Sequence, residues 1–141
     1  MAKVADSIVR IPCNDINSFF YYWVIFLKPF HHLTERESEV VVAFLKERYY
    51  LSKVITDPAL LNKILMNEDT KRKIREECGI TLSHFQTVIT KLKKSNVIVD
   101  NNINPRYIPK LGDIPGSFKM MLLFELKDDK EGDTSESSKQ S

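Results

Sequence analysis

Glycine is scarce in this chain, with four in 141 residues. No glycine-rich loop is available to bring backbone N–H groups around a phosphate, so the nucleotide-binding motifs built on such loops are excluded. Cysteine is scarcer. Cys13 and Cys78 make no disulfide framework, and neither has a histidine or a second cysteine at metal-ligand spacing. Both are read as reduced thiols of an intracellular protein. The apolar run Phe19–Leu27, FFYYWVIFL, has nine residues, too few for a helix to cross a bilayer, which takes about 20. Asp6 and Arg10 interrupt the N-terminus before any apolar stretch, so no signal peptide is expected. Catalytic constellations are lacking as well. His31 and His32 precede a helix cap without a carboxylate or cysteine partner, the serines lie mostly in the tail or at caps, and the glutamates belong to helix faces and caps. The expectation is a protein that is not an enzyme and holds no metal or cofactor.

What is present is a particular distribution of charge and apolar residues. The net charge is only +2, but the tail 127–141 carries −2, leaving +4 on residues 1–126. Residues 71–94 hold seven Lys or Arg against two Glu, a net of +5. Positive charge is therefore concentrated on one stretch, whereas the tail has the composition of a disordered segment.

In chain order, Ser7–Ile11 reads as a short strand or an extended arm. Asp15 or Asn17 can cap a helix over about Ser18–Lys28, ended by Pro29. This helix is apolar nearly all round, so it is either a central core helix or one covered by another subunit. Thr34 and Glu37 form a capping box for a helix over Leu33–Lys53, with Val40, Val41, Phe44 and Leu45 as its buried stripe. Asp57-Pro58 starts another helix, Ala59–Met66, with Leu60, Leu61, Ile64 and Leu65 inside.

Thr70–Ile98 then reads as helix, tight turn, helix and entry into a strand. Asp69 can cap the first helix, Gly79 suits the left-handed position after its end, and Thr81 can cap the second. Phe85, Val88, Ile89 and Leu92 mark the buried stripe of that second helix. At about 100° per residue, Ser83, Thr87, Thr90 and Lys94 fall opposite it, flanked by Gln86 and Lys91, with His84 near the N-terminal end. Val97–Val99 reads as a strand, Asp100–Asn102 as a turn and Ile103–Ile108 as a returning strand with Pro105 at an edge or bulge. Alternation over 118–126 predicts a third strand after the loop Gly112–Gly116.

Counted from Lys71, the stretch resembles the twenty-residue helix-turn-helix template. The glycine falls at Gly79 and the apolar positions on Ile74, Cys78, Ile80, Phe85 and Val88; Arg75 departs from the small residue usual there. LTERESEVV, from Leu33, resembles the first helix of winged-helix regulators of the multiple-antibiotic-resistance type. Ile103-Asn104-Pro105, followed by Tyr107, Ile108 and Gly112, resembles the wing-to-exit stretch of winged-helix replication initiators from plasmids and phages. Together these resemblances cover about Leu33–Gly112.

They imply a mainly α fold with a small β-hairpin or sheet, an α+β winged helix-turn-helix. The expected organisation is an N-terminal arm and apolar helix over 1–32, the winged domain with an added strand over 33–126, and the acidic tail over 127–141. The implied function is double-stranded DNA binding, as a transcription regulator or replication initiator. The expected contacts are Lys71, Arg72 and Lys73 on the first helix, with Arg75 beside them, and Ser83, His84, Gln86, Thr87, Thr90, Lys91 and Lys94 on the second. Arg106 and Lys110 are expected from the wing. Tyr22, Trp23 and Phe26 are the expected interface of a homodimer or larger assembly, with no membrane partner. The alternative is a structural or adaptor protein, such as a phage component, that uses the scaffold to bind other proteins. It draws on the lack of arginine on the second helix and on the apolar 19–27 helix. Cytoplasmic location is expected, or the virion under the alternative.

Overall fold

The computed structural model describes residues 9–111, 118, 120 and 125–127. It is mainly helical with one two-stranded antiparallel sheet. Two compact units are present, 1–109 and 110–141, and every described helix and strand belongs to the first. The expected strand over 118–126, the loop Gly112–Gly116 and the tail lie outside the described residues, apart from isolated positions. Within the expected N-terminal strand, Val9–Ile11 are described; they are exposed and carry no strand.

Thr34 opens the helix on which the others are assembled. Its hydroxyl accepts from Glu37 N at 3.2 Å, and the Glu37 carboxylate accepts from Thr34 N at 2.9 Å. This reciprocal cap starts α3, Glu35–Ser52. Val40, Val41, Val42, Ala43, Phe44 and Leu45 are all buried. Six consecutive residues exceed one helical turn, so this segment is enclosed on every side. α1 (Ile16–Phe26), α4 (Pro58–Leu65), α5 (Glu68–Cys78) and α6 (Leu82–Lys94) all pack against α3.

Asp15 is the cap of α1, accepting from Ser18 N at 2.8 Å. That hydrogen bond favours the ionised form and lowers the Asp15 pKa. α1 ends at Phe26, earlier than expected. Pro29 does not stop it but sits in the first turn of the short α2, Lys28–His31, where a missing N–H leaves nothing unsatisfied. His31 is buried, with its Nε2 2.8 Å from the Val24 carbonyl oxygen and its Nδ1 accepting from Leu33 N at 3.0 Å. One ring therefore ties the end of α1 to the entry of α3, and it does so as the neutral tautomer with the proton on Nε2. Burial lowers the His31 pKa below its ordinary value.

α4 starts as expected, with Asp57 accepting from Ala59 N at 3.2 Å. Leu61 and Leu65 are its buried residues; Leu60 is exposed, because a helix of eight residues turns only part of its surface to the core. α5 is capped by Asn67 rather than Asp69. The Asn67 carboxamide accepts from Thr70 N at 2.8 Å, and Asp69, inside the first turn, pairs with Arg72 at 2.7 Å.

α5 and α6 end in the same way. Gly79 N donates to Glu76 O and Ile80 N to Arg75 O, with Gly79 at φ 66°. Asn96 N donates to Lys93 O and Val97 N to Leu92 O, with Asn96 at φ 62°. Both are Schellman closures, which satisfy carbonyls that the last turn leaves unpaired. The second also brings Leu92 and Val97 together in the core.

β1 (Ile98–Val99) and β2 (Asn102–Ile103) pair antiparallel, Ile98 opposite Ile103. Asp100 and Asn101 between them both have positive φ, 54° and 58°. That is the backbone of a type I′ two-residue loop, whose twist matches the strands. The return strand expected to reach Ile108 stops at Ile103. The Asn104 carboxamide accepts from Arg106 N at 3.0 Å and turns the chain into a 3-10 helix, Pro105–Tyr107. Pro105 has no N–H with which to continue the ladder. Tyr107 is buried, and its carbonyl accepts the Trp23 indole N–H at 2.8 Å, joining α1 to the segment after the hairpin.

Candidate nucleic-acid interface

α6 is positioned by its apolar side. Phe85, Val88, Ile89 and Leu92 are buried, and the Phe85 ring stacks on Phe44 of α3 with centroids 6.4 Å apart. Thr81 caps the helix by accepting from His84 N at 3.1 Å. With that side fixed, Ser83, His84, Gln86, Thr87, Thr90 and Lys94 are exposed, and Lys91 is half-buried. Their exposure follows from the spacing that buries their neighbours.

A groove of about 500 Å³ runs between α5 and α6. Lys71, Arg72 and Arg75, with the carboxylate of Glu68, line it from α5; Leu82, Phe85, Gln86, Ile89, Thr90 and Lys93 line it from α6. The structure thus brings Lys71, Arg72, Gln86 and Thr90 of the expected contacts together around one concavity. Lys73 is directed elsewhere: its ammonium lies 3.2 Å from Glu47 on α3. A second pair, Lys46 with Glu77, also links α3 to α5. Arg106 is exposed in the turn after the hairpin, and Lys110 is exposed in the second unit.

Of the exposed α6 residues that line the groove, two fall outside the contact set expected from the sequence. They are Leu82, which is 56% exposed, and Lys93. A stripe of 82, 86, 89 and 93, at spacings of four and three, is the signal that marks them.

The charges fall into two groups. Arg36, Lys46, Arg72 and Lys73 have carboxylate partners. Lys71, Arg75, Lys91, Lys93, Lys94 and Arg106 have none among the described residues. The Arg72–Asp69 pair is exposed and spans a single turn, so it adds little stability. Burial and the neighbouring Glu77 and Glu39 raise the Cys78 thiol pKa, holding it in the unreactive protonated form. No group of three or more His, Cys, Asp or Glu capable of holding a metal occurs among the described residues. Nor is any described helix long and apolar enough to cross a membrane.

On the outward side of α6, the Thr87 hydroxyl donates to Ser83 O at 3.2 Å and the Thr90 hydroxyl to Gln86 O at 3.0 Å. Each threonine then has no proton left to donate outward and presents a methyl group with an acceptor oxygen. The Gln86 carboxamide makes no hydrogen bond to other described residues.

Around the apolar 19–27 segment the exposure is uneven. Tyr22 is 43% and Phe26 46% exposed, and Phe30 on α2 is 63% exposed. Trp23, grouped with Tyr22 and Phe26 from the sequence, is half-buried and held by its bond to Tyr107.

Comparison with protein-family models, with curated proteins and with solved structures returns no match.

Proposed function

We propose that this chain is a winged helix-turn-helix protein that binds double-stranded DNA, with α6 in the major groove and β1–β2 as a minimal wing. Acting as a transcription regulator or replication initiator fits that activity. The observation that carries the reading is the groove between α5 and α6. Unpaired cations line it beside an exposed polar helix face, which suits phosphate and base-edge contacts together. Lys71, Arg72, Arg75, Lys91, Lys93 and Lys94 hold the phosphates in this reading, while Ser83, Gln86, Thr87 and Thr90 meet the bases. The cytoplasm is the compartment consistent with it.

A salt titration tests the proposal. Affinity for a random duplex should fall linearly in log–log form as salt rises, with a slope near about −0.9 per phosphate contact. Lys91→Ala with Lys94→Ala should weaken binding to every duplex and flatten the slope by about two units. Salt-independent binding, or an unchanged slope in the variant, overturns the placement of α6 against the duplex.

A second reading is supported by the exposed Tyr22, Phe26 and Phe30. A protein-binding adaptor or structural component, including one of a virion, would use such an aromatic stripe for a partner. The DNA-binding reading uses the same stripe for a homodimer, whose two-fold axis would match a palindromic site.

A further inference from the structure

We propose that α6 is built to read A·T base pairs, and that it reads them through methyl contacts with thymine and a carboxamide pair with adenine. This rests on the duplex-binding reading above and specifies the sequences it selects.

The argument starts from what the outward face can donate. Guanine presents two acceptors in the major groove, N7 and O6, and is recognised by Arg or Lys. α6 has no arginine. Its lysines, 91, 93 and 94, lie in the last turn, at the end away from Ser83 and Gln86. In the middle of the face the two threonine hydroxyls have committed their protons to Ser83 O and Gln86 O. Neither can donate to guanine while those bonds hold.

Of the groups that remain on this face, the exposed His84 can donate a ring N–H to the N7 of either purine, whereas the Gln86 carboxamide and the threonine methyl groups suit A·T. The Gln86 carboxamide has a donor and an acceptor and no partner among the described residues, the set that pairs with adenine N7 and N6. The Thr87 and Thr90 methyl groups sit one and four positions beyond it on the exposed side. Thymine is the only base with a methyl group in the major groove, and apolar contact is how it is read. The exposed Leu82 at the start of the helix lines the same groove as Gln86 and Thr90. Ser83, whose hydroxyl is not so committed, fits either base pair.

The full chain should be titrated with duplexes of equal length bearing A·T or G·C cores in identical flanks, at one salt concentration. The A·T core should bind about tenfold tighter or more, the discrimination that a single bidentate pair supplies. Uracil in place of thymine removes only the C5 methyl and should weaken binding several-fold. Thr87→Ser with Thr90→Ser keeps the hydroxyls and removes the protein methyls, so it should abolish the difference between thymine and uracil while leaving the salt slope unchanged. Gln86→Ala should lower the preference for the A·T core, read as the ratio of the affinities for the two cores.

Equal affinity for both cores with a steep salt slope would overturn this inference alone and leave duplex binding standing. A uracil effect that persists in the double serine variant would do the same, since the methyl would then act through DNA shape. Absence of salt-dependent binding to any duplex would overturn both this inference and the reading beneath it.

Discussion

α1 and α3 reverse what their compositions suggest. α1 is aromatic or aliphatic over most of its length, yet only Phe20 and Val24 are buried, while Tyr21, Tyr22, Ile25 and Phe26 stay exposed. α3 carries charge at both ends, yet buries six residues in a row. The difference is positional. α1 lies against α3 on one side, whereas α3 is also covered by α4, α5 and α6. Apolar content shows what a helix could bury; the number of neighbours decides what it does bury. The enclosure of α3 has a polar consequence as well. The Arg48 Nε is buried without a partner among the described residues, and burial lowers the pKa of that guanidinium.

The comparison predicts unequal responses to truncation. Phe44 of α3 is fully buried and stacks on Phe85, so Phe44→Ala should cost about 3–5 kcal/mol, as large aromatic deletions do in packed cores. Chemical denaturation would measure it. A cost near that of an exposed α1 residue would mean that α3 is not the enclosed helix.

Next in size is the pH response of the link between them. His31 is needed neutral, because protonating Nδ1 would break its bond from Leu33 N. Its pKa is lowered in the folded chain, chiefly by burial. The unfolded chain therefore binds more protons below the ordinary value of 6.5, and stability falls as pH drops from there toward the folded value. Above 6.5 this contribution is fully present. Thermal melts between about pH 8 and about pH 5, on the order of one unit apart, should show that decline. His31→Leu should be less stable throughout but flatter over the same interval. An equally steep decline in the variant would assign the effect to other groups.

Gly79→Val should cost less than Phe44→Ala, about 1–2 kcal/mol, the penalty of a left-handed residue with a Cβ. No atom beyond its chain neighbours lies within 4 Å of where that Cβ would stand, so the cost is assigned to backbone strain. Gly79→Asn should recover much of the stability in a melting experiment, since asparagine tolerates positive φ. No recovery would point to crowding rather than backbone strain.

These positions also show what can be read from a sequence. The cap at Thr34, the left-handed Gly79 and the buried stripe of α6 each depend on residues within four positions, and local spacing reveals them. Asn67 in place of Asp69 is a competition between two equally good caps, which only the helix start resolves. The Asn96 closure is hidden because asparagine has many local uses, whereas glycine has few. The shortened return strand follows from Asn104 and Pro105 acting together. The burial of Val42 and Ala43, the salt bridge that draws Lys73 to Glu47, and the Trp23–Tyr107 bond all depend on distant elements, so no window on the chain could give them. In the candidate interface, exposure is legible from periodicity, but the commitment of the Thr87 and Thr90 protons is not.

The smallest expected effect on stability sharpens the comparison most. Tyr22 and Phe26 are exposed on α1, four positions apart, and Phe30 follows four further on. If they only meet solvent within one protomer, Tyr22→Glu with Phe26→Glu should change monomer stability by no more than about 0.5 kcal/mol, the range of ordinary surface substitutions. If they form the proposed homodimer contact, the same variant should separate the protomers, because two carboxylates placed in an apolar contact cannot keep their hydration. Helicity should be measured first, so that loss of folding is not taken for loss of association. Sedimentation of the unmodified chain at high micromolar concentration should then show a dimer, and that of the variant a monomer. A monomer in both would remove the dimer and leave α1 as a one-sided cover for α3. A large drop in melting temperature would instead show that the exposed side of α1 contributes to the core, and the contrast between the two helices would narrow.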